Sequence, residues 1–407
     1  MSVKPSEKQL DFMSWEVGVF FHFGIRTFYE GHSDWDGSVM PADKFNPEQL
    51  DCEQWIKMAK AGGAKYAILT TKHHDGFANW PTKYSDYSVK NAPWKDGKGD
   101  VVKEFTDACR KHGLKVGLYY SPAQKDYKLV DDKEYDDYFI NQISELLTNY
   151  GTIDYIWFDG CGSEGHEYDK DRIVNVIRTL QPGIMIFSMW DPDVRWVGNE
   201  EGIVPCGTGY VVDSERHSVN ETEDTAIEPQ FLPYECDCKA RREKWFYSEY
   251  DAHLLRSPED MAALYYYSVG RGGNLLLNFA PDRRGLIPQQ DCENFSKMKQ
   301  ILDKRFEKPV KCSIEKKGDY YIIELEKPCS VNTLLLEEEL SDGQKIKKYT
   351  LSTCYWEEMG VSVYSGDFVG HKRIVPFPQT YGKRFKLTID EAEEGYKLNN
   401  VSLFMTN

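Results

Sequence analysis

No stretch of this chain is apolar for long enough to cross a bilayer, and residues 1–10 lack the apolar centre of a secretory leader. The expectation is a cytoplasmic protein. No run of Lys or Arg interleaves with aromatics, and 66 acidic against 50 basic side chains leave a net charge of −16. Such a chain repels polyanions, so nucleic acid and anionic membrane are not expected as partners. The ten cysteines, at 52, 109, 161, 206, 236, 238, 292, 312, 329 and 354, show no paired zinc-knuckle spacing. Cys236 and Cys238 are too close for an ordinary disulfide, and free thiols are expected throughout. There is no internal repeat and no low-complexity tract.

What the chain does have is length and aromatic rings. Its 407 residues suffice for one barrel-sized domain and a smaller one. Ten Trp, 26 Tyr and 20 Phe offer faces that stack on the C–H face of a sugar, although they serve equally well in a core. Apolar runs at 17–24, 66–71, 114–121, 153–160 and 184–188 read as strands, with helical spacing from about 51, from about 100, at 135–150 and at 169–180 between or after them. Alternation of this kind implies a parallel sheet with right-handed crossovers, and the number of units favours closure into an α/β, (β/α)8-like barrel. The segment 189–250 gives few strand or helix signals. Helical spacing returns at 258–270, a last barrel strand is read at 274–278, and a helix at 288–305. From 310 onward short alternating runs separated by turns predict a small antiparallel β-sandwich, so the domains are expected at 1–308 and 309–407.

In a strand, alternate side chains share a face, so Tyr155, Trp157 and Asp159 face one way and Ile156 and Phe158 the other. In a parallel barrel the C-terminal strand ends converge on one mouth. The residues predicted there are His22, His73, His74, Tyr119, Trp157 and Asp159, with Asp34 and Trp35 from the first loop. Two chemistries suit them. One is a metal-assisted hydrolase, since His and Asp are common ligands. Against it, His22 is followed by Phe23 and Gly24 rather than by a second His, and adjacent His73 and His74 diverge unless the strand ends between them. The other is retaining glycoside hydrolysis, which needs a carboxylate nucleophile, a second carboxylic acid about 5–5.5 Å away, and polar groups around the ring hydroxyls. The second reading is preferred, and it requires no metal or cofactor.

Six motifs, in order, resemble those of the family 29 α-L-fucosidases: His22-Phe23-Gly24, Lys72-His73-His74-Asp75-Gly76-Phe77, Gly117-Leu118-Tyr119-Tyr120-Ser121-Pro122, Trp157-Phe158-Asp159-Gly160, Arg195-Trp196-Val197-Gly198-Asn199-Glu200, and the run from Gly270 to Asn278. The resemblance spans the whole chain. It implies a metal-free enzyme that cleaves α-linked L-fucose from a fucosylated glycan with retention, with Asp159 as nucleophile. His22, His73, His74, Tyr119 and Trp157 would cradle the sugar, with Asp34 and Trp35 beside them. The motif around Glu200 resembles the subgroup acting on α-1,3 and α-1,4 linkages, which makes Glu200 the acid/base, with Glu201 and Glu235 as alternatives. Asp34 stands where the family usually has Glu, one methylene longer. A fucose-binding lectin on a retired barrel is the non-enzymatic alternative, and Asp159, Glu200 and the three histidines argue against it.

Overall fold

A computed structural model describes residues 3–124, 130–163, 165–212, 228–356 and 359–406. Helix α1 (Glu7–Trp15) opens the chain behind a capping box in which Ser6 and Gln9 satisfy each other's backbone N–H. Then follow β1 (Val17–Phe21), α2 (Cys52–Ala61), β2 (Tyr66–Lys72), α3 (Val101–His112), β3 (Lys115–Tyr120), α4 (Asp132–Asn149), β4 (Tyr155–Phe158), α5 (Lys170–Leu180) and β5 (Met185–Phe187). Asp51, Asp100, Asp131 and Asp169 cap the four helices after α1 by accepting from a backbone N–H three residues on.

The segment 189–250 is richer in structure than its sequence suggests. It holds β6 (Arg195–Trp196), a short pair β7 (Val211–Val212) and β8 (Gln230–Phe231), and β9 (Tyr234–Lys239). After it come α6 (Pro258–Tyr267), β10 (Asn274–Asn278) and α7 (Gln289–Phe306). Eight strands form one sheet in the order β5-β4-β3-β2-β1-β10-β9-β6, and all of its pairings are parallel. The two edges nearly meet through a parallel bridge between Phe187 and Val194. This is a near-closed barrel, as the alternation of strands and helices predicts.

Its interior is aromatic. Phe20, Tyr66, Tyr119, Tyr155, Trp157 and Phe187 point inward, while Ile156 and Phe158 join the apolar layer between sheet and helices. Phe12 and Trp15 of α1 pack on Tyr155 and Tyr66, with ring centres 5.4 and 5.5 Å apart. Gly18 is required there, because a Cβ would lie 2.3 Å from the Tyr66 ring. Beyond α7 the chain forms a six-stranded antiparallel sheet from β11 (Cys312–Lys317), β12 (Tyr320–Glu338), β13 (Ile346–Trp356), β14 (Met359–Asp367), β15 (Arg373–Ala392) and β16 (Leu398–Phe404). The alternating runs at 320–325 and 331–336 belong to one long strand, β12, which shifts register near Glu324 and Val331. Among the described residues no helix is long and apolar enough to cross a membrane.

Candidate active site

A cavity of about 490 Å³ opens at the C-terminal ends of the barrel strands. Its wall includes His22 from the end of β1, His73 and His74 after β2, Tyr119 of β3, Trp157 and Asp159 of β4 and its end, Asp34 and Trp35 of the first loop, and Glu200. These are the residues expected to share one mouth, together with one of the three candidate acids. Strand β2 stops at Lys72, so His73 and His74 escape the alternation that would send them to opposite faces. Their ring centres are 4.2 Å apart.

Neighbouring strands contribute rings at one level. His73 stacks on Tyr119 at 5.4 Å, Tyr119 on Trp157 at 5.4 Å, and Trp157 on Phe187 at 4.1 Å. This row fixes the wall on which Asp159 stands. Tyr119 Oη donates to Asp159 Oδ2 at 3.0 Å, the Cys161 N–H donates to Oδ1 at 2.9 Å, and His74 Nε2 lies 3.5 Å from Oδ2. Burial pushes the Asp159 pKa up, but the His74 charge and these hydrogen bonds outweigh it, and the net shift is downward. For His74, burial works against the charged form and Asp159 for it, and the result is a rise to about 9. His74 Nδ1 faces Ser121 Oγ at 2.6 Å, and that hydroxyl donates onward to the Ala123 carbonyl, so it accepts from His74. Asp159 is an ionised carboxylate beside an imidazolium.

The other two histidines are kept neutral. Burial pulls His22 down to about 3 and His73 well below its usual value. His22 Nδ1 is 2.8 Å from Asn278 Oδ1, while His73 Nδ1 has no hydrogen-bond partner among the described residues. Asp34 accepts from the Trp245 N–H through Oδ2 at 2.8 Å, and its buried Oδ1 is without a hydrogen bond among the described residues. Burial raises the pKa of Asp34. Such unspent polar atoms in a cavity wall suit the hydroxyls of a ligand. Arg26, fully buried, ties the two loops together by donating to Asp75 at 2.9 Å, to Asp36 at 2.9 Å and to the Ser33 carbonyl at 2.7 Å. Trp35 stands at the rim with 69% of its surface exposed.

The three glutamates part company here. Glu200 lies in the mouth, 3.1 Å from Lys239 Nζ. Glu201 pairs by a backbone bridge with Cys238, is exposed, and does not line the cavity. Glu235, expected on a second loop, is instead a residue of β9 inside the barrel. Its carboxyl accepts from Tyr66 Oη at 2.5 Å, Trp157 Nε1 at 2.9 Å and Tyr155 Oη at 3.3 Å, and it does not line the cavity. Burial raises it to about 7 against the pull of those three donors.

The wall also holds charged and aromatic residues to which the sequence assigned no role, among them Trp196, Asp237, Lys239, Glu243, Lys244 and Trp245. Asp237 accepts from Trp196 Nε1 at 2.7 Å, and burial, opposed by that bond and aided by the charges of Glu200 and Glu235, raises it to about 8. The polar alternation Glu235, Asp237, Lys239 around Cys236 and Cys238 was the available signal, a period-2 pattern with the acids turned inward. Ser188 in the cavity wall holds a positive φ angle of 70°, and so does Trp190 two residues on, at 64°, packed behind the sheet on Phe139, Phe158 and Tyr168. His73, His74 and Asp159 also bring possible ligand atoms within 4.8 Å of one another.

Known proteins share this arrangement of folds and sequence. The α-L-fucosidase family profile matches residues 2–307. Alpha-L-fucosidase 1 of Arabidopsis thaliana is 33% identical over 98% of this chain and 87% of its own length. A glycoside hydrolase 29 family member from an unknown rumen bacterium has a crystal structure that superposes with a TM-score of 0.91, at 31% identity over 100% of this chain and 78% of that one. A match of this extent in sequence and in fold establishes a glycosidase, and the chain belongs to the α-L-fucosidase family.

Proposed function

We propose that the chain releases terminal α-linked L-fucose from oligosaccharides or glycoconjugates with retention of configuration, acting on α-1,3 and α-1,4 linkages. The observation that carries this reading is the placement of Asp159, whose carboxyl group stands in the wall of a sugar-sized cavity, held by Tyr119 and His74. In the first step an Asp159 oxygen attacks the anomeric carbon and the bond to the leaving oxygen breaks, while Glu200 gives that oxygen its proton. In the second, Glu200 takes a proton from water as the water oxygen attacks the same carbon, and the ester to Asp159 breaks. His22, His73 and Asp34 meet the ring hydroxyls, and Trp157 and Tyr119 back the sugar.

Glu200 is preferred as acid/base over Glu201 and Glu235 because it alone of the three stands in the cavity wall. The test is turnover of an aryl α-L-fucoside and of a Lewis-type trisaccharide by Asp159→Ala and Glu200→Ala, each with added azide. Expected are losses on the order of 10⁴-fold or more for Asp159→Ala and 10²–10⁴-fold for Glu200→Ala on the trisaccharide, with azide restoring one or both. An active Glu200→Ala beside a dead Glu235→Gln would refute the assignment of the acid. Fucose binding without turnover on either substrate would point to a lectin, and loss of activity with chelator to a metal enzyme. Cleavage of α-1,2 in preference to α-1,3 and α-1,4 fucosides would refute the linkage.

A further inference from the structure

A second cavity, of about 530 Å³, lies where the barrel meets the C-terminal sheet. Three guanidinium groups enter its wall from three elements: Arg271 from the turn after α6, Arg305 from the last turn of α7, and Arg373 from the start of β15. Tyr266, Tyr267 and Tyr364 stand among them, and the wall contains no Asp or Glu. In a chain of net charge −16, three arginines around a hollow free of carboxylates are not a solvated surface of average composition.

The arginines are held but not neutralised. Arg271 and Arg373 face each other across an antiparallel bridge, one on each domain, and the Ile374 N–H donates to the Gly270 carbonyl at 2.8 Å. Arg271 Nη1 donates to the Val204 carbonyl at 2.6 Å, and its guanidinium lies 5.1 Å from the Tyr267 ring centre. Arg305 lies 5.7 Å from the Tyr266 ring centre. Arg373 Nε donates to the Phe368 carbonyl at 2.7 Å, and Asp367 is 3.9 Å away at the limit of an ion pair. Among the described residues Arg271 and Arg305 form no ion pair with a carboxylate, whereas Arg241, Arg242, Arg283 and Arg284 all do. Each guanidinium has five N–H donors in a rigid fork, and the bonds above use one of them on Arg271 and one on Arg373.

We propose that this hollow is a binding site for an acidic saccharide, one bearing a carboxylate or sulfate group. Guanidinium forks match the planar or tetrahedral oxygens of such a group in pairs, and the volume together with the tyrosine rings suits a sugar body attached to it. The site lies apart from the mouth and shares none of its lining residues.

The test is calorimetric titration of the full chain with glucuronic acid and with N-acetylneuraminic acid, in the presence of excess L-fucose to occupy the mouth. Lactose serves as the neutral control and inorganic sulfate as the bare anion. Saturable binding of an acidic sugar is expected, weakened about 10-fold or more by Arg305→Ala and by Tyr364→Ala, and weakened by added salt, with no binding of lactose. Thermal melts establish that each variant is folded, and turnover of an aryl fucoside should be unchanged in both. Absence of saturable binding by both acidic sugars would overturn the proposal, as would equal affinity in wild type and both variants. Sulfate binding as tight as either sugar would overturn the saccharide and leave an anion site only. Because binding is read directly, failure here leaves the assignment of Asp159 and Glu200 untouched, and their failure leaves this site untouched.

Discussion

Asp159 owes its charge to two neighbours that can be removed one at a time. Tyr119→Phe deletes one O–H donor and leaves the ring stack on Trp157 intact. A hydrogen bond to a charged group contributes about 1.5–3 kcal/mol, so kcat/KM on an aryl fucoside should fall roughly 10- to 100-fold, and melting temperature should fall measurably with it. Glu235 differs, because its role is to hold others. Glu235→Gln keeps an acceptor for Trp157 Nε1, whereas Glu235→Leu strands that N–H and two tyrosine hydroxyls in the barrel interior. Each stranded donor costs about 1–3 kcal/mol, so urea titration should show Leu several kcal/mol less stable than Gln, with Gln retaining more activity.

At the scale of elements, β9 organises the side of the mouth that carries Glu200. Along its inner face Glu235 supports Trp157, Asp237 anchors Trp196, and Lys239 meets Glu200. Trp196 sits four residues before Glu200, so its anchor sets where that loop leaves the barrel. Asp237→Asn keeps an oxygen for Trp196 Nε1 and Asp237→Ala does not. Asn should therefore stay within a few-fold of wild type in kcat/KM, while Ala loses about 10-fold, read by steady-state kinetics on a trisaccharide.

The side of the mouth that carries Asp159 was legible because its strands are plain apolar runs ended by polar residues: Tyr155 to Phe158 before Asp159, and Tyr66 to Lys72 before the two histidines. Strand β9 was not, because hydrophobic patterning assigns Glu, Asp and Lys to solvent, and here all three turn into the barrel. Helix α1 escaped for a related reason, since its signal is the reciprocal cap of Ser6 and Gln9 and not a strong apolar stripe. Glu200 could be found by motif alone. Its nearness to Lys239 joins residues 39 positions apart, and only the fold brings them together.

Over the whole molecule the buried acids make stability depend on pH. Glu235 and Asp237 are raised by burial to about 7 and about 8, so the folded state holds their protons more tightly than the unfolded chain does. Their contribution is complete below the unfolded values of 4.5 and 3.8 and is lost as pH rises through 7 and 8. His74, raised to about 9, acts in the same direction, its share fading as pH climbs from 6.5 to 9. Asp159, lowered, acts at the other end, and its share is lost as pH falls below its usual range. Glu235→Gln should therefore change the slope of melting temperature against pH between about 4.5 and 7, removing the share of the decline that Glu235 supplies, read by thermal melts of both proteins across that range.

The barrel's closure also has a consequence. Strands β1 to β5 and β10 are joined by parallel ladders, with one register shift between Thr70 and Lys72, but among the described residues β5 and β6 are stitched only by the Phe187–Val194 bridge and the few backbone bonds beside it. Amide protons of Ile186, Ser188 and Val194 should thus exchange with deuterium well before those of Ile68, Leu118 or Leu276. The half of the mouth that carries Glu200 should then open locally more often than the half that carries Asp159.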